Sequence, residues 1–365
     1  MKIAIVRNRN NDGVFGNVGQ PCPERYGRRS VQLVMNALRT AGHTVKIFEG
    51  DINLLANLKD FIPPDPATGL PSGMVFNMSY GIQGDSRYTH VPAMLEMAGI
   101  PYTGPGPYAH VVSLDKVLTK LIMERHHIPT PKFCVLGSPE QQAGGLRYPL
   151  IVKPRHESTS LGIQVVSNKD ELRQAVEAVL TEYQQDALVE EYIDGREIAI
   201  GLLDNNPIEL LPIVELEYRD KNIKILTKPD KFHRSTEEPK KICPAQIDDK
   251  VANHLKKLAV SLYRLCLCRD YARVDVRLDR DGNPFVLEIN SMTTLGTKGG
   301  FVLAARKAGY TFKQLVWRIL DIAHERYFDR PAPRGVDALP IHSSNQQIKQ
   351  TTIQIQSISD RENGD

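Results

Sequence analysis

Apolar residues along this chain are spaced in two ways, and the alternation between them predicts its first architecture. Residues 2–6, 44–48 and 74–77 are short apolar runs, the mark of buried strands. Residues 28–41 and 91–98 instead repeat apolar side chains every three to four positions, as a helix with one buried face does. Gly42 stops the first of these helices. Ile100-Pro101-Tyr102-Thr103-Gly104 reads as a strand running into a turn, and the Pro/Gly cluster at 104–107 marks a boundary. Strands alternating with helices predict a parallel α/β sheet over residues 1–107.

Past that boundary the spacing predicts a helix at 111–125, strands at 150–154, 162–166, 187–191 and 198–203, and a helix at 169–183. Residues 205–245 are charged and weakly patterned. A helix resumes at 251–266, and amphipathic helices at 301–308 and 312–326 close the fold. From 331 onward Pro, Ser, Asn, Gln and charge dominate, so a disordered tail dispensable for chemistry is expected at 331–365. The domains expected are 1–107, 108–186 and 187–328.

The segment from Arg273 to Asn290 says most about chemistry. It reads as a β-hairpin folded about Asp281-Gly282, a strong two-residue turn signal. Side chains alternate faces along a strand, so Val274, Val276 and Leu278 would share an apolar face with Phe285, Leu287 and Ile289. The other face gathers Arg273, Asp275, Glu288 and Asn290. A plain two-residue turn sets Asp275 opposite Glu288 and Arg273 opposite Asn290. Facing carboxylates repel, so the arrangement asks for a cation. Oxygen ligands suit Mg²⁺. An ordinary amphipathic hairpin with a solvated polar face would carry the same pattern.

Bulk properties narrow the class. A chain of 365 residues with 41% hydrophobic and 24% charged residues suggests a globular protein of two or three domains. A net charge of +3 is too weak to argue for nucleic acid. No apolar run reaches the roughly 18 residues that a membrane helix needs. Met1-Lys2-Ile3-Ala4-Ile5-Val6 meets Arg7 too soon for a secretory signal, and five scattered cysteines fit a reducing compartment, so a cytoplasmic protein is expected. Cys266-Leu267-Cys268 lacks zinc spacing and lies among leucines, so core thiols are expected there.

Two further segments carry candidate chemistry. Leu150-Ile151-Val152-Lys153-Pro154 puts a lysine at the end of a buried strand, followed by the small, polar Ser158-Thr159-Ser160-Leu161-Gly162. Free backbone N–H groups and a lysine can wrap phosphate oxygens, although a Ser/Thr-rich surface turn looks the same. Leu188-Val189-Glu190-Glu191-Tyr192-Ile193-Asp194-Gly195-Arg196-Glu197 offers a strand edge and carboxylates that suit an adenine ring and ribose hydroxyls. A hairpin with solvated acids has the same sequence signature. Lys116 and Lys228 stand singly, as exposed lysines commonly do. No Gly-x-Gly-x-x-Gly follows the first strand, which argues against a dinucleotide oxidoreductase.

Taken in order, seven segments resemble the ATP-grasp superfamily, in its D-alanine–D-alanine ligase branch of carboxylate–amine ligases. They are residues 94–104, Leu114-Asp115-Lys116, Val152-Lys153-Pro154, Leu188-Val189-Glu190-Glu191, Cys243-Pro244-Ala245, Arg273-Val274-Asp275-Val276 and Leu287-Glu288-Ile289-Asn290. The similarity spans roughly residues 1–328.

The resemblance implies an α/β fold with an α+β C-terminal part, an ATP-grasp unit preceded by an N-terminal parallel-sheet domain. It implies ATP and two Mg²⁺ ions, with Mn²⁺ as an alternative, and amino-acid or peptide substrates. A homodimer and a place in peptidoglycan synthesis are family expectations. By the same resemblance Lys116, Lys153 and Lys228 bind phosphates, and Thr159 and Ser160 lie in the loop over the triphosphate. Glu190, Glu191 and Ile193 form the adenine edge, and Glu197 takes the ribose. Asp275, Glu288 and Asn290 ligate metal, Arg273 stabilises the tetrahedral intermediate, and Glu24 holds the first substrate's amino group. Closure of the loop at 157–162 and of residues 219–242 would exclude water.

Three departures bear on substrate choice. Gly299-Gly300 stand where the family has a Ser-Leu pair, Tyr80-Gly81 where it has His-Gly, and Cys22-Pro23-Glu24 where it has Ser-x-Glu. The nucleotide and metal machinery is thus intact while both amino-acid pockets are altered. A ligase with a peptide acceptor and a nucleotide-binding protein without turnover are the competing expectations.

Overall fold

The first segment folds as its alternation predicts. In this computed structural model, which describes residues 1–9, 14–16, 19–218, 225 and 239–330, three parallel strands form the N-terminal sheet. They are β1 (Lys2–Arg7), β2 (Thr44–Glu49) and β3 (Gly73–Met78), in the order β2-β1-β3. Helix α1 (Arg28–Thr40) buries Val31, Val34, Met35 and Leu38 along one stripe, and Gly42 leaves it in the left-handed region at φ 84°. Helices α2 (Leu54–Phe61) and α3 (His90–Met97) cover the opposite face of the sheet. Residues 100–104 extend the sheet by a single bridge, Val75 to Tyr102.

The predicted helix at 111–125 is two helices, α4 (Pro107–Leu114) and α5 (Lys116–Arg125). Asp115 separates them with an extended backbone, and its carboxylate caps α5 by accepting from the Val117 and Leu118 N–H groups. Capping chemistry outweighs apolar spacing at this position. Four antiparallel strands follow, β4 (Phe133–Leu136), β5 (Leu150–Pro154), β6 (Gln164–Val166) and β7 (Ala187–Glu191), ordered β4-β7-β5-β6. Helix α6 (Lys169–Ala178) covers them and ends in a π-turn at Val179–Tyr183.

A larger antiparallel sheet follows. Its strands are β8 (Gly195–Leu203), β9 (Glu209–Leu210), β10 (Val214–Glu217), β11 (Lys240–Ile242), β12 (Tyr271–Asp279) and β13 (Pro284–Asn290). The path runs β11-β10-β8-β12-β13, with β9 paired to β8. Helix α7 (Asp249–Leu265) packs on one face, while α8 (Gly300–Lys307) and α9 (Phe312–Phe328) lie on the other. The residues at 205–245 therefore contribute three short strands that their charge concealed. Cys266 and Cys268 are buried and unbridged, as core thiols should be. Among the described residues, no helix is long and apolar enough to cross a membrane. Lys228, the tail at 331–365 and most of 219–238 lie outside the described residues.

The β12–β13 hairpin departs from the two-residue turn. Leu278 pairs with Pro284 and Val276 with Val286, and a bulge then restores Asp275 opposite Glu288 and Arg273 opposite Asn290. Val286, not Phe285 or Leu287, joins the core beside Val274, Val276, Leu278 and Ile289. The bulge turns Leu287 out of the core and into the cavity described below. The turn is longer because the Asp279 carboxylate accepts from the Asp281 and Asn283 N–H groups, with Gly282 left-handed at φ 82°.

Asp270 ties the layers together. It is fully buried, accepts from the Gly104 N–H at 2.7 Å, and takes Arg326 of α9 at 2.9 and 3.0 Å. Asn205 adds a further bond to the same carboxylate. Replacing Asp270→Ala strands the Arg326 charge, so urea denaturation should show a loss of about 3–5 kcal/mol. A loss below about 1 kcal/mol would show that water replaces the clasp.

Candidate functional site

A cavity of about 580 Å³ lies between the β4–β7 sheet and the larger sheet, with residues of both on its walls. On one side is the hairpin. Asp275 and Glu288 are direct cross-strand partners, and Arg273 grips Asp275 with two bonds of 2.7 Å. Asn290 donates to Asp275 at 2.9 Å and to Glu288 at 3.4 Å. Lys116, one residue past the Asp115 cap, reaches Glu288 at 3.8 Å. Burial works against the Arg273 charge, but Asp275 and Glu288 more than offset it and hold the guanidinium firmly protonated. The repulsion expected between the acids is relieved here by protein cations.

The donor set Asp275, Glu288 and Asn290 is all oxygen, two carboxylates and an amide, which fits magnesium. Among the described residues no group of three or more His, Cys, Asp and Glu side chains is gathered to hold a metal, so Asn290 is essential to that fit.

Opposite the hairpin, Lys153 at the end of β5 meets Glu190 of β7 at 2.8 Å. A second lysine, Lys120, meets the same carboxylate at 2.9 Å and is 0% exposed. Burial pushes the Glu190 carboxyl up, but the two lysines outweigh it and hold its pKa at about 2. For Lys120 and Lys116 burial prevails, and both sit below the ordinary lysine value. Lys120 escaped the sequence reading. Its spacing from Lys116, one helical turn along α5, is the signal that places both on one face.

Of the paired acids, only Glu190 turns toward the lysines. Glu191 points the other way to Arg147, which is largely exposed, at 3.2 Å. The Glu191 and Tyr192 N–H groups are held by the Lys132 and Pro149 carbonyls. Ile193 lies past the last ladder pair and lines the cavity. Glu197, the third residue of β8, pairs with Arg277 of β12 and accepts the Tyr218 hydroxyl at 2.6 Å. Solvated acids on a plain hairpin do not describe this strand end.

Thr159 and Ser160 also line the cavity, and both are left-handed, at φ 54° and 61°. A β-branched residue there is strained, at roughly 1–3 kcal/mol. Such strain persists where the surroundings over-determine the backbone. Two positions before Thr159, Glu157 is buried and anchored by Gln185 at 2.9 Å and by Arg87 at 3.1 Å.

Glu24 lies at the far end, buried beneath Tyr88, whose hydroxyl donates to it. Burial raises its pKa, against the pull of Ser158, Tyr88 and Arg87. Tyr26 and Tyr80 stack at 5.1 Å beside it. Tyr26 also donates to the Thr293 carbonyl at 3.4 Å, joining this end to the segment after Asn290. That segment brings Lys298, Gly299 and Gly300 to the wall at the start of α8, with no acidic residue in the helix's first turn. The Thr293 hydroxyl is buried without a partner. Arg87, Tyr88, Glu157 and Thr293 carry no sequence signal, since the first two lie in a single 3-10 turn at Arg87–Thr89 and the others in loops, too short for a spacing pattern.

Residues 122–321 match the family model described as D-ala D-ala ligase C-terminus. An uncharacterised protein, y4sG, of Sinorhizobium fredii is 48% identical over 90% of this chain and 98% of its own length. A D-alanine–D-alanine ligase of Cupriavidus pinatubonensis is 32% identical over 85% of this chain and 92% of its own. A solved structure of the Bacillus anthracis D-alanine–D-alanine ligase, complexed with ATP, superposes with a TM-score of 0.68. That alignment covers 90% of this chain and 99% of that one at 20% identity, which establishes the fold.

The Lys120–Glu190–Lys153 cluster has a readable pH signature. Because the Glu190 pKa lies at about 2 rather than the ordinary 4.5, its stabilisation is complete above 4.5 and vanishes as pH falls through about 2. Lys120→Met should therefore lower stability by about 3 kcal/mol near pH 7. In urea denaturation the deficit should narrow as pH drops below 4.5. A deficit independent of pH would mean that lost packing, not charge, is responsible.

Proposed function

The chain belongs to the D-alanine–D-alanine ligase family of ATP-grasp proteins, and on that premise we propose that it is an ATP-dependent carboxylate–amine ligase. The observation that carries this reading is the convergence of Arg273, Asp275, Glu288 and Asn290 with Lys116, Lys153 and Glu190 on one cavity. Nothing in a merely structural hairpin calls for buried lysines across from it.

In the proposed reaction a substrate carboxylate oxygen attacks the γ-phosphorus of ATP, the bond to ADP breaks, and an acylphosphate forms. An amine then attacks the acyl carbon, a C–N bond forms, and phosphate leaves as the amine loses a proton. Magnesium held by Asp275, Glu288 and Asn290 would neutralise phosphate charge and align the transferring group. Lys116 beside the hairpin and Lys153 across the cavity from it add positive charge, the role proposed also for Lys228. Arg273 supplies a planar fork for the oxyanion, and its bond to Asp275 orients it beforehand. Glu190, Glu191 and Ile193 provide the adenine edge, and Glu197 the ribose carboxylate. Thr159 and Ser160 cover the triphosphate and keep water from the acylphosphate. Glu24 would receive the donor's ammonium.

The acceptor end favours a second reading within the same chemistry. Gly299 and Gly300 line the wall without side chains, while Lys298 and the start of α8 offer positive potential. This arrangement suits the carboxylate of an acceptor longer than a single amino acid.

Incubation with ATP, Mg²⁺ and pooled D- and L-amino acids, followed by mass spectrometry, should reveal a dipeptide formed in step with ADP and phosphate. A parallel panel of short peptides decides between the acceptors. The absence of any amide product in both panels would reject the ligase reading. Glu288→Gln should lower kcat by roughly 100-fold or more while the protein stays folded by circular dichroism. An unaltered kcat would remove Glu288 from the metal set.

A further inference from the structure

The loop after β3 sends a charged side chain into the interior. Arg87 is 1% exposed and its Nε has no partner. Its outer nitrogen sits 3.1 Å from Glu157 and 3.9 Å from Glu24, both of them buried. One guanidinium thus stands between two carboxylates that belong to different functions. Glu24 lines the cavity at its substrate end, and Glu157 opens the loop that carries Thr159 and Ser160. The approach is built for the purpose. Gly81 is left-handed at φ 79°, and a Cβ there would fall 1.8 Å from the Arg87 carbonyl oxygen. Only glycine lets the chain fold back closely enough to deliver Arg87.

Glu157 is also held from the opposite direction. The Gln185 side-chain amide donates to it through Nε2 at 2.9 Å, and the Oε1 of the same amide accepts the His156 backbone N–H at 2.8 Å. Lys116 donates to the Glu157 carbonyl oxygen. Glu157 therefore rests on three ties, of which the one to Arg87 is shared with another anion. The next residue, Ser158, bonds to Glu24 and to the Tyr88 hydroxyl, contacts that Glu24→Gln can keep through its amide oxygen.

We propose that Arg87 is a positioning residue that couples Glu24 to closure of the loop at 157–162, because one cation is divided between Glu24 and Glu157. A substrate ammonium arriving at Glu24 supplies that acid with its own cation. Arg87 is then given wholly to Glu157, and the loop tightens over the nucleotide. By linkage, nucleotide under the closed loop strengthens amine binding at Glu24 by the same factor. The device orders the reaction: the loop closes best when a donor is present, which limits idle hydrolysis of ATP. The inference rests on the proposed function in taking Glu24 as the ammonium-binding acid.

Hydrogen–deuterium exchange of the full-length protein at pH 8, without ligands, tests the coupling by its sign. Arg87→Gln should speed exchange across residues 156–162 by about tenfold, since Glu157 loses its cation. Glu24→Gln should slow the same amides by about threefold, since Arg87 no longer divides its charge. Arg87→Lys, a single point charge, should fall between Arg87→Gln and the unaltered protein. Opposite signs for Glu24→Gln and Arg87→Gln support the coupling. Faster exchange in both, or no change in either, overturns it as a structural role alone. If Arg87→Gln fails to fold, Glu24→Gln decides by its own direction. Binding of a fluorescent ATP analogue with Mg²⁺ is measured alongside. Its absence in the unaltered protein would reject the ligase reading while leaving the exchange result to stand.

Discussion

Two carboxylates facing each other across neighbouring strands set the terms for the rest of this molecule. Asp275 and Glu288 occupy a direct pair in a sheet whose far side is a closed apolar core, so neither can turn away. Their repulsion must be met by positive charge, and the chain supplies it from two places, Arg273 on the same strand and Lys116 from α5. The bulge at Leu287 keeps this pairing in register although the turn is longer than two residues. Without it, every side chain on one strand would change face.

The opposite wall repeats the principle with the signs exchanged. Two buried lysines converge on one buried glutamate, and the trio is stable only because each charge has a partner. The cluster holds Lys153 in place on the cavity wall. In the proposed reaction, charge arranged in advance costs no reorganisation when a phosphate enters, the main means by which phosphoryl-transfer sites in general lower their barrier.

The ends of the cavity proposed to take amino acids are built differently from the wall proposed to take nucleotide. By the resemblance Tyr80-Gly81 stand in place of His-Gly and Gly299-Gly300 in place of Ser-Leu, with Tyr26 stacked on Tyr80 and Arg87 buried against Gly81. The proposed roles divide accordingly: residues that match the family motifs at the phosphates, and residues that depart from them at the substrates. Arg87 is where these two halves meet.

Much of this was legible in the residues themselves. The parallel first sheet, the opposed acids, Lys153 at a strand end and the core thiols all follow from period-two and period-four spacing, which depends on local backbone geometry. The break at Asp115 was hidden because one capping bond outweighed an unbroken apolar stripe. Strands at 209–217 and 240–242 were hidden because charge obscured their alternation. The partners of Glu190, the sharing of Arg87, and the opposite directions taken by Glu190 and Glu191 depend on residues dozens of positions apart. Spacing determines which face of an element a side chain occupies. Only the packing of elements decides which charges meet, because a buried ion pair forms where two surfaces close together and water is driven out.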